Sequence, residues 1–244
     1  MSKKTNYSYI GIAFIILVFG IIFVPKIIDR IVNNDVTRNE SRSDFNDAKK
    51  SDLAFIEINK ERKKVPAFSF INQNGQIISN KDYEGKVYVI EFFFTTCPTI
   101  CPRMNANLVQ VQNAFKGFDN FGVASFTINP ENDTPEVLKA YADKYGVTNP
   151  NWNLMTGDQV EIYKLANEGF NLYTAKDANA EGGFEHSGNF ALIDKKGYLR
   201  SRVVKGNPII FYNGMISESE KTDEEGMPEE ISILKEDIKK LLNE

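Results

Sequence analysis

Lys86-Val87-Tyr88-Val89-Ile90-Glu91-Phe92-Phe93-Phe94-Thr95-Thr96-Cys97-Pro98-Thr99-Ile100-Cys101-Pro102-Arg103-Met104 joins an apolar run to both cysteines of a 244-residue chain. Lys86 to Phe94 has Glu91 as its only interior charge, the pattern of a central strand covered on both faces. The two thiols follow four residues apart, slightly more than one helical turn, so at the opening of a helix they project to one side. Pro98 and Pro102 fit that placement, because proline is tolerated where a helix starts but not inside it. A helix N-terminus also favours the thiolate, since its unpaired N–H groups and dipole attract negative charge. A strand leading into a helix that opens on two thiols supports three readings: a redox pair, a soft-metal site, or an inert buried disulfide. The short loop between the cysteines makes the last the weakest. Spacing alone leaves the first two level.

Outward from this stretch, Phe68-Ser69-Phe70-Ile71 and Gln76-Ile77-Ile78-Ser79 flank Asn74-Gly75, a hairpin signal. A helix is expected after the cysteines through Leu108, Val111 and Phe115, then a strand from Gly122 to Ile128. Thr134-Pro135-Glu136 opens a helix carrying Val137, Leu138 and Tyr141, and Gly146 stops it. Trp152 to Met155 reads as a short strand, and Asp158 with Glu161 resembles a capping box for a helix to Asn167. Phe190 to Ile193 and Tyr198 to Val204 form a second hairpin around Asp194 to Gly197, and Glu229 to Leu242 closes the chain as an amphipathic helix. Alternating strands and helices with antiparallel hairpins at the edge predict an α/β fold, a thioredoxin-like mixed sheet flanked by helices.

The single histidine, His186, lies in Gly182-Gly183-Phe184-Glu185-His186-Ser187-Gly188, a Gly-rich loop just ahead of the Phe190 strand. A lone histidine is more often a surface or satisfied core residue than a ligand. Its place beside a sheet strand raises the ligand reading, because such a loop can approach the first helix of a thioredoxin-type sheet. Two thiolates suit Cu(I), and an added imidazole lets the same site hold Cu(II). Met104 offers a thioether, though an apolar residue of the first helix is the commoner role.

Three motifs together resemble the Sco/SenC family of membrane-anchored, thioredoxin-like copper proteins. Thr96 to Met104 is similar to that family's copper loop, Ile128-Asn129-Pro130-Glu131-Asn132-Asp133-Thr134-Pro135 to its second motif, and Glu185-His186-Ser187 to the segment of its ligand histidine. The resemblance runs from about Pro66 to the C-terminal helix. It implies copper on Cys97, Cys101 and His186, and a role in assembling the binuclear copper site of cytochrome c oxidase. The implied partner is the oxidase subunit that carries that site, with an upstream copper chaperone or a thioredoxin-like reductant as further partners. The second motif departs from the family pattern, which begins Asp-Pro where this chain has Asn129-Pro130, so an amide replaces a charge. Asp133 remains, with capping of the following helix as its alternative role.

The N-terminus sets the expected location. Between Lys4 and Lys26 lie 21 consecutive uncharged residues, long enough at about 1.5 Å per residue to cross the roughly 30 Å apolar core of a bilayer. Residues 1–25 are therefore expected to form a single-pass N-terminal transmembrane helix. A cleaved signal peptide is the runner-up, but a small-x-small cleavage site is missing after Val24, where Pro25-Lys26-Ile27-Ile28 follows. Residues 26–64 are charged, mixed in sign and free of glycine, which predicts a solvated stalk, with the copper-binding domain over 65–244. Thiols that must be metallated or oxidised favour the extracytoplasmic, periplasmic side.

The net charge of −4 and the acidic residues interrupting each basic cluster argue against nucleic acid. Ser217 to Glu230 carries seven carboxylates against Lys221, suiting either a basic partner or, more simply, a solvated loop. Two functions stay open: a copper metallochaperone using Cys97, Cys101 and His186, and a thiol–disulfide oxidoreductase with Cys97 attacking and Cys101 resolving. His186 separates them, since disulfide exchange does not require it. A peroxiredoxin-like peroxidase is a weaker third reading of Thr95-Thr96-Cys97-Pro98.

Overall fold

The computed structural model describes residues 17–19, 53–177 and 180–244. The chain divides into a unit of residues 1–46 and a unit of residues 47–244, and the fold below is that of the second. The expected anchor over residues 1–25 lies outside the described residues, except for the helical residues 17–19. Among the described residues no helix is long and apolar enough to cross a membrane.

The unit begins with β1 (Leu53–Phe55), β2 (Glu57–Ile58) and β3 (Glu61–Arg62), then β4 (Ser69–Asn72), β5 (Ile77–Ser79) and the central β6 (Val87–Phe93). Helix α1 (Ile100–Ala114), β7 (Phe121–Thr127), α2 (Pro135–Tyr145), β8 (Trp152–Thr156) and α3 (Gln159–Lys164) follow. The last third holds β9 (Thr174–Lys176), β10 (Phe184–His186), β11 (Asn189–Ile193), β12 (Leu199–Val204), β13 (Asn207–Pro208), β14 (Tyr212–Asn213) and α4 (Ile231–Asn243). The main sheet runs β1-β12-β11-β6-β7-β8-β4-β5, with β13 added to β12 and β14 to β11. Its centre, β6-β7-β8, is parallel, and the pairs on either side are antiparallel. This is the mixed α/β sheet with flanking helices that the element order predicts.

Every residue of β6 and β7 is buried, as a strand covered on both faces requires. Helix α1 buries Cys101, Met104, Leu108 and Val111, the three-and-four spacing of one helical face. Phe68, Phe70, Phe92 and Phe126 form a connected aromatic cluster, with edge contacts at 5.1 and 5.7 Å and a stacked pair at 5.4 Å. Burying each such ring contributes about 1.5–3 kcal/mol. Thr134 caps α2 through Val137 N–H, and Gly146 ends it in the left-handed region at φ 77.

Three boundaries differ from the sequence expectation. Residues 53–64, assigned to the stalk, belong to the fold: Leu53, Ala54 and Phe55 pair with Arg202, Ser201 and Arg200 of β12. Composition misleads here because a charge of the segment covers aromatic surface, Arg62 lying 4.0 Å from the Phe55 ring centre, with Arg200 of β12 at 4.1 Å from the same ring. The remaining stalk residues lie outside the described residues. The helix expected to reach Asn167 is α-helical only to Lys164 and continues as one wide π turn over Leu165–Phe170. β9 and β10 form a separate two-stranded sheet in which His186 pairs with Thr174, where sequence suggests a loop.

Candidate metal centre

Cys97 lies within the loop of residues 94–99 after β6, and Cys101 sits in the first turn of α1. Both are free and buried, Cys101 completely. The Cys97 sulfur takes the place of a helix cap, accepting the Cys101 N–H at 3.4 Å, while Thr99, the residue before the helix, makes no side-chain cap. Pro102 in the same turn has no N–H to satisfy. The Cys101 sulfur accepts from Phe94 N–H at 3.5 Å.

These contacts separate the two thiols electrostatically. The Cys97 thiol is pushed down to about 3, chiefly by the hydrogen bond from the Cys101 thiol and against its own burial, with further help from His186 and the N–H groups of Cys101 and Thr99. Cys101 moves the other way, raised by burial first and then by the neighbouring sulfur of Cys97. One sulfur is held as a thiolate and its partner as the thiol that donates to it.

His186 completes the cluster from the small hairpin. Its Nε2 lies 3.3 Å from Cys101 Sγ and 3.7 Å from Cys97 Sγ, and the three potential ligand atoms fall within 4.8 Å of one another. Nδ1 faces the Ser187 carbonyl at 3.3 Å; the tautomer protonated at Nε2 donates to the Cys97 thiolate, and the one protonated at Nδ1 donates to Ser187 and turns the Nε2 lone pair toward the sulfurs. The ring stands edge-on to Phe94 at 5.4 Å, and Phe94 also meets Phe184 at 5.0 Å. Gly182, at φ 76, lets this loop close on the cysteine loop, because a Cβ there would fall 2.8 Å from the Phe94 ring and 3.2 Å from Pro98. Asn167, in the π turn, grips Thr174, the strand partner of His186, accepting its N–H at 2.9 Å and donating to its carbonyl at 3.1 Å.

The three residues singled out from the sequence thus converge. Met104 is fully buried in the core. Asn129 is half-buried and shapes the turn through its carbonyl, which accepts from Asn132 and Asp133 N–H. Asp133 does not cap α2, since Thr134 does; it is fully buried against Thr95 and Thr127. Asn167 and Gly182 carry no sequence signal for the site, although the Gly-Gly pair marks a tight approach. Three carboxylates of the acidic stretch are engaged by the fold: Glu220 pairs with Arg103 of α1 at 2.6 Å on the surface, Glu218 with Lys235 of α4, and Glu230 accepts from Asn213 N–H at 2.6 Å, while Glu224 and Glu225 are exposed.

A thioredoxin-like sheet presenting two thiols and an imidazole to one point defines a protein of soft-metal or thiol chemistry. A sequence model described as SCO1/SenC matches residues 57–216, and the chain belongs to that family. Among solved structures it is similar to a SCO1/SenC family lipoprotein of Bacillus anthracis, at 31% identity and TM-score 0.61 over 73% of this chain and 95% of that one. It is similar to BsSco, a member of the Sco family of cytochrome c oxidase assembly proteins in which a disulfide switch was identified (28%, TM-score 0.59, 74% and 94%). Copper-bound ScoI of Bradyrhizobium japonicum matches at 25% and TM-score 0.55, over 73% and 99%.

Proposed function

We propose that this protein is a copper metallochaperone that binds copper through Cys97, Cys101 and His186 and delivers it to the binuclear copper site of cytochrome c oxidase during assembly. The observation that carries this reading is the convergence of the chain's only histidine with both of its cysteines. Two sulfur donors suit Cu(I), and the imidazole, whose Nε2 offers a lone pair when Nδ1 donates to the Ser187 carbonyl, adds the harder donor that Cu(II) accepts. Copper-bound ScoI and the oxidase-assembly role of BsSco support the same cargo and destination. Release proceeds by ligand exchange, with the half-buried His186 yielding before the enclosed Cys101.

Thiol–disulfide exchange is the second reading, favoured by the depressed Cys97 thiol beside its higher partner. In it Cys97 attacks a disulfide in the recipient's copper site, Cys101 resolves the mixed disulfide, and the recipient's thiols leave reduced. The domain is held to the extracytoplasmic face of a membrane by residues 1–25. The B. anthracis relative is a lipoprotein, whereas both cysteines of this chain lie in the site, which leaves the uncharged N-terminal run as its means of attachment.

Copper stoichiometry of the reduced full chain in detergent tests the first reading. One equivalent is expected, with tight binding lost in Cys97→Ser or Cys101→Ser. Retention of one equivalent by the double Cys97→Ser/Cys101→Ser variant overturns the ligand assignment.

A further inference from the structure

Asp133 is fully buried, and four donors converge on its carboxylate. Oδ2 accepts from Thr95 N–H at 3.0 Å and from the Thr127 hydroxyl; Oδ1 accepts from the Thr95 hydroxyl and from Asn132 Nδ2 at 2.8 Å. A carboxylate held this deeply persists only when its oxygens are fully hydrogen-bonded. Its own N–H is fixed to the Asn129 carbonyl at 2.9 Å, so the β7–α2 turn presents it as a rigid acceptor.

The Thr95 N–H that it holds belongs to the same planar peptide as the Phe94 carbonyl, and that carbonyl accepts the Cys97 N–H at 3.3 Å. Tilting one end of this peptide moves the other. Phe94 in turn gives its N–H to Cys101 Sγ and sets its ring against His186. One residue therefore touches all three candidate ligands, and Asp133 grips the peptide that follows it.

We propose that Asp133 is a positioning residue of the metal centre: through the Phe94–Thr95 peptide it fixes where Cys97 stands relative to Cys101 and His186. It does so from the motif in which Asn129 replaces the family's aspartate, and four residues on from it, so the turn still supplies one carboxylate to the cysteine loop. The inference rests on the three-ligand reading above. A mere staple between two loops would stabilise the fold without setting the site's geometry.

The test compares full-length variants in detergent. Asp133→Asn, which keeps the shape and loses an acceptor, is expected to weaken Cu(II) binding about tenfold, the lower range for contacts outside the ligands themselves. It should also shift the thiolate-to-Cu(II) charge-transfer band and, without any copper, move the Cys97–Cys101 disulfide potential. Thr127→Val removes a contact on the strand side of the carboxylate; it should lower the unfolding midpoint and leave affinity, band and potential as in the parent. An Asp133→Asn protein that loses midpoint yet keeps the parent's affinity, band and potential overturns the proposal. Should Asp133→Asn fail to fold, Thr95→Val and Thr95→Ser read the second tie of Asp133 to the same residue, the Thr95 hydroxyl on Oδ1: weaker copper binding in Val with rescue in Ser supports it, and equal binding overturns it. If the parent chain binds no copper, the copper reading fails, while the disulfide potential still decides the role of Asp133.

Discussion

The two thiols and the imidazole reach one point from unlike parts of the molecule. Cys97 and Cys101 stand at the junction of β6, a strand of the main sheet buried along its whole length, and α1, whose inner face packs on the core. His186 stands on β10, in a two-stranded sheet outside the main one, held by Phe94, the close approach of Gly182, and the Asn167 grip on Thr174. The thiol half is fixed by burial, the imidazole half by a few specific contacts. Such a division suits a carrier: two donors stay preorganised for a soft ion, and the third can be perturbed without disturbing the fold.

The largest test of that contrast is His186→Ala. Losing a metal bond outright should lower Cu(II) affinity by more than about 100-fold, beyond the usual effect of losing an outer contact. The disulfide potential should stay within about 15 mV, a few-fold in the exchange equilibrium, because it is set by the thiol half. Equilibrium copper competition and redox titration against glutathione measure the two. A large shift in potential would break the division between halves, and unchanged oxidase assembly at low copper would favour the reductase reading.

Next in size is a pH effect rooted in the thiol half. Glu91, completely buried in β6, accepts from Ser125 at 2.5 Å with one oxygen and has no hydrogen-bond partner on the other among the described residues, and burial pushes its carboxyl from 4.5 up to about 7. With its folded value above the unfolded one, the native state holds the extra proton between those limits. This contribution to stability is therefore full below about 4.5 and is lost as pH rises through about 7. Glu91→Gln should abolish that decline, a difference on the order of 1–3 kcal/mol by pH 8. Urea unfolding of both proteins at pH 5 and pH 8 reads it, and parallel pH profiles would show that Glu91 does not titrate in this range.

The smallest expected effect sharpens the other half. Asn167→Ala releases Thr174, the partner of His186, and should weaken Cu(II) binding by about three- to tenfold with the disulfide potential unchanged. Equal loss of Cu(II) affinity and potential would mean that the two halves are coupled through the fold rather than separately held.

Much of this was legible in the chain because the signals are local. The Asn74-Gly75 hairpin, the Thr134 cap and the Gly146 stop appear where their turn and capping chemistry places them. The β9–β10 hairpin was not legible, since three-residue strands beside glycines carry no periodicity. β1 to β3 were hidden by their charge, which packs outward over Phe55 rather than marking a solvated tether.

By itself the sequence determined the order of strands and helices, the paired thiols at a helix start and their redox or soft-metal character, because periodicity, capping and donor type act over a few residues. Only the tertiary structure decided that His186, 89 residues from Cys97, meets both sulfurs, and that Asp133 faces the cysteine loop instead of capping α2. The physical reason is that hydrogen bonds across the sheet and close contacts between loops depend on how distant segments pack, which no local pattern encodes.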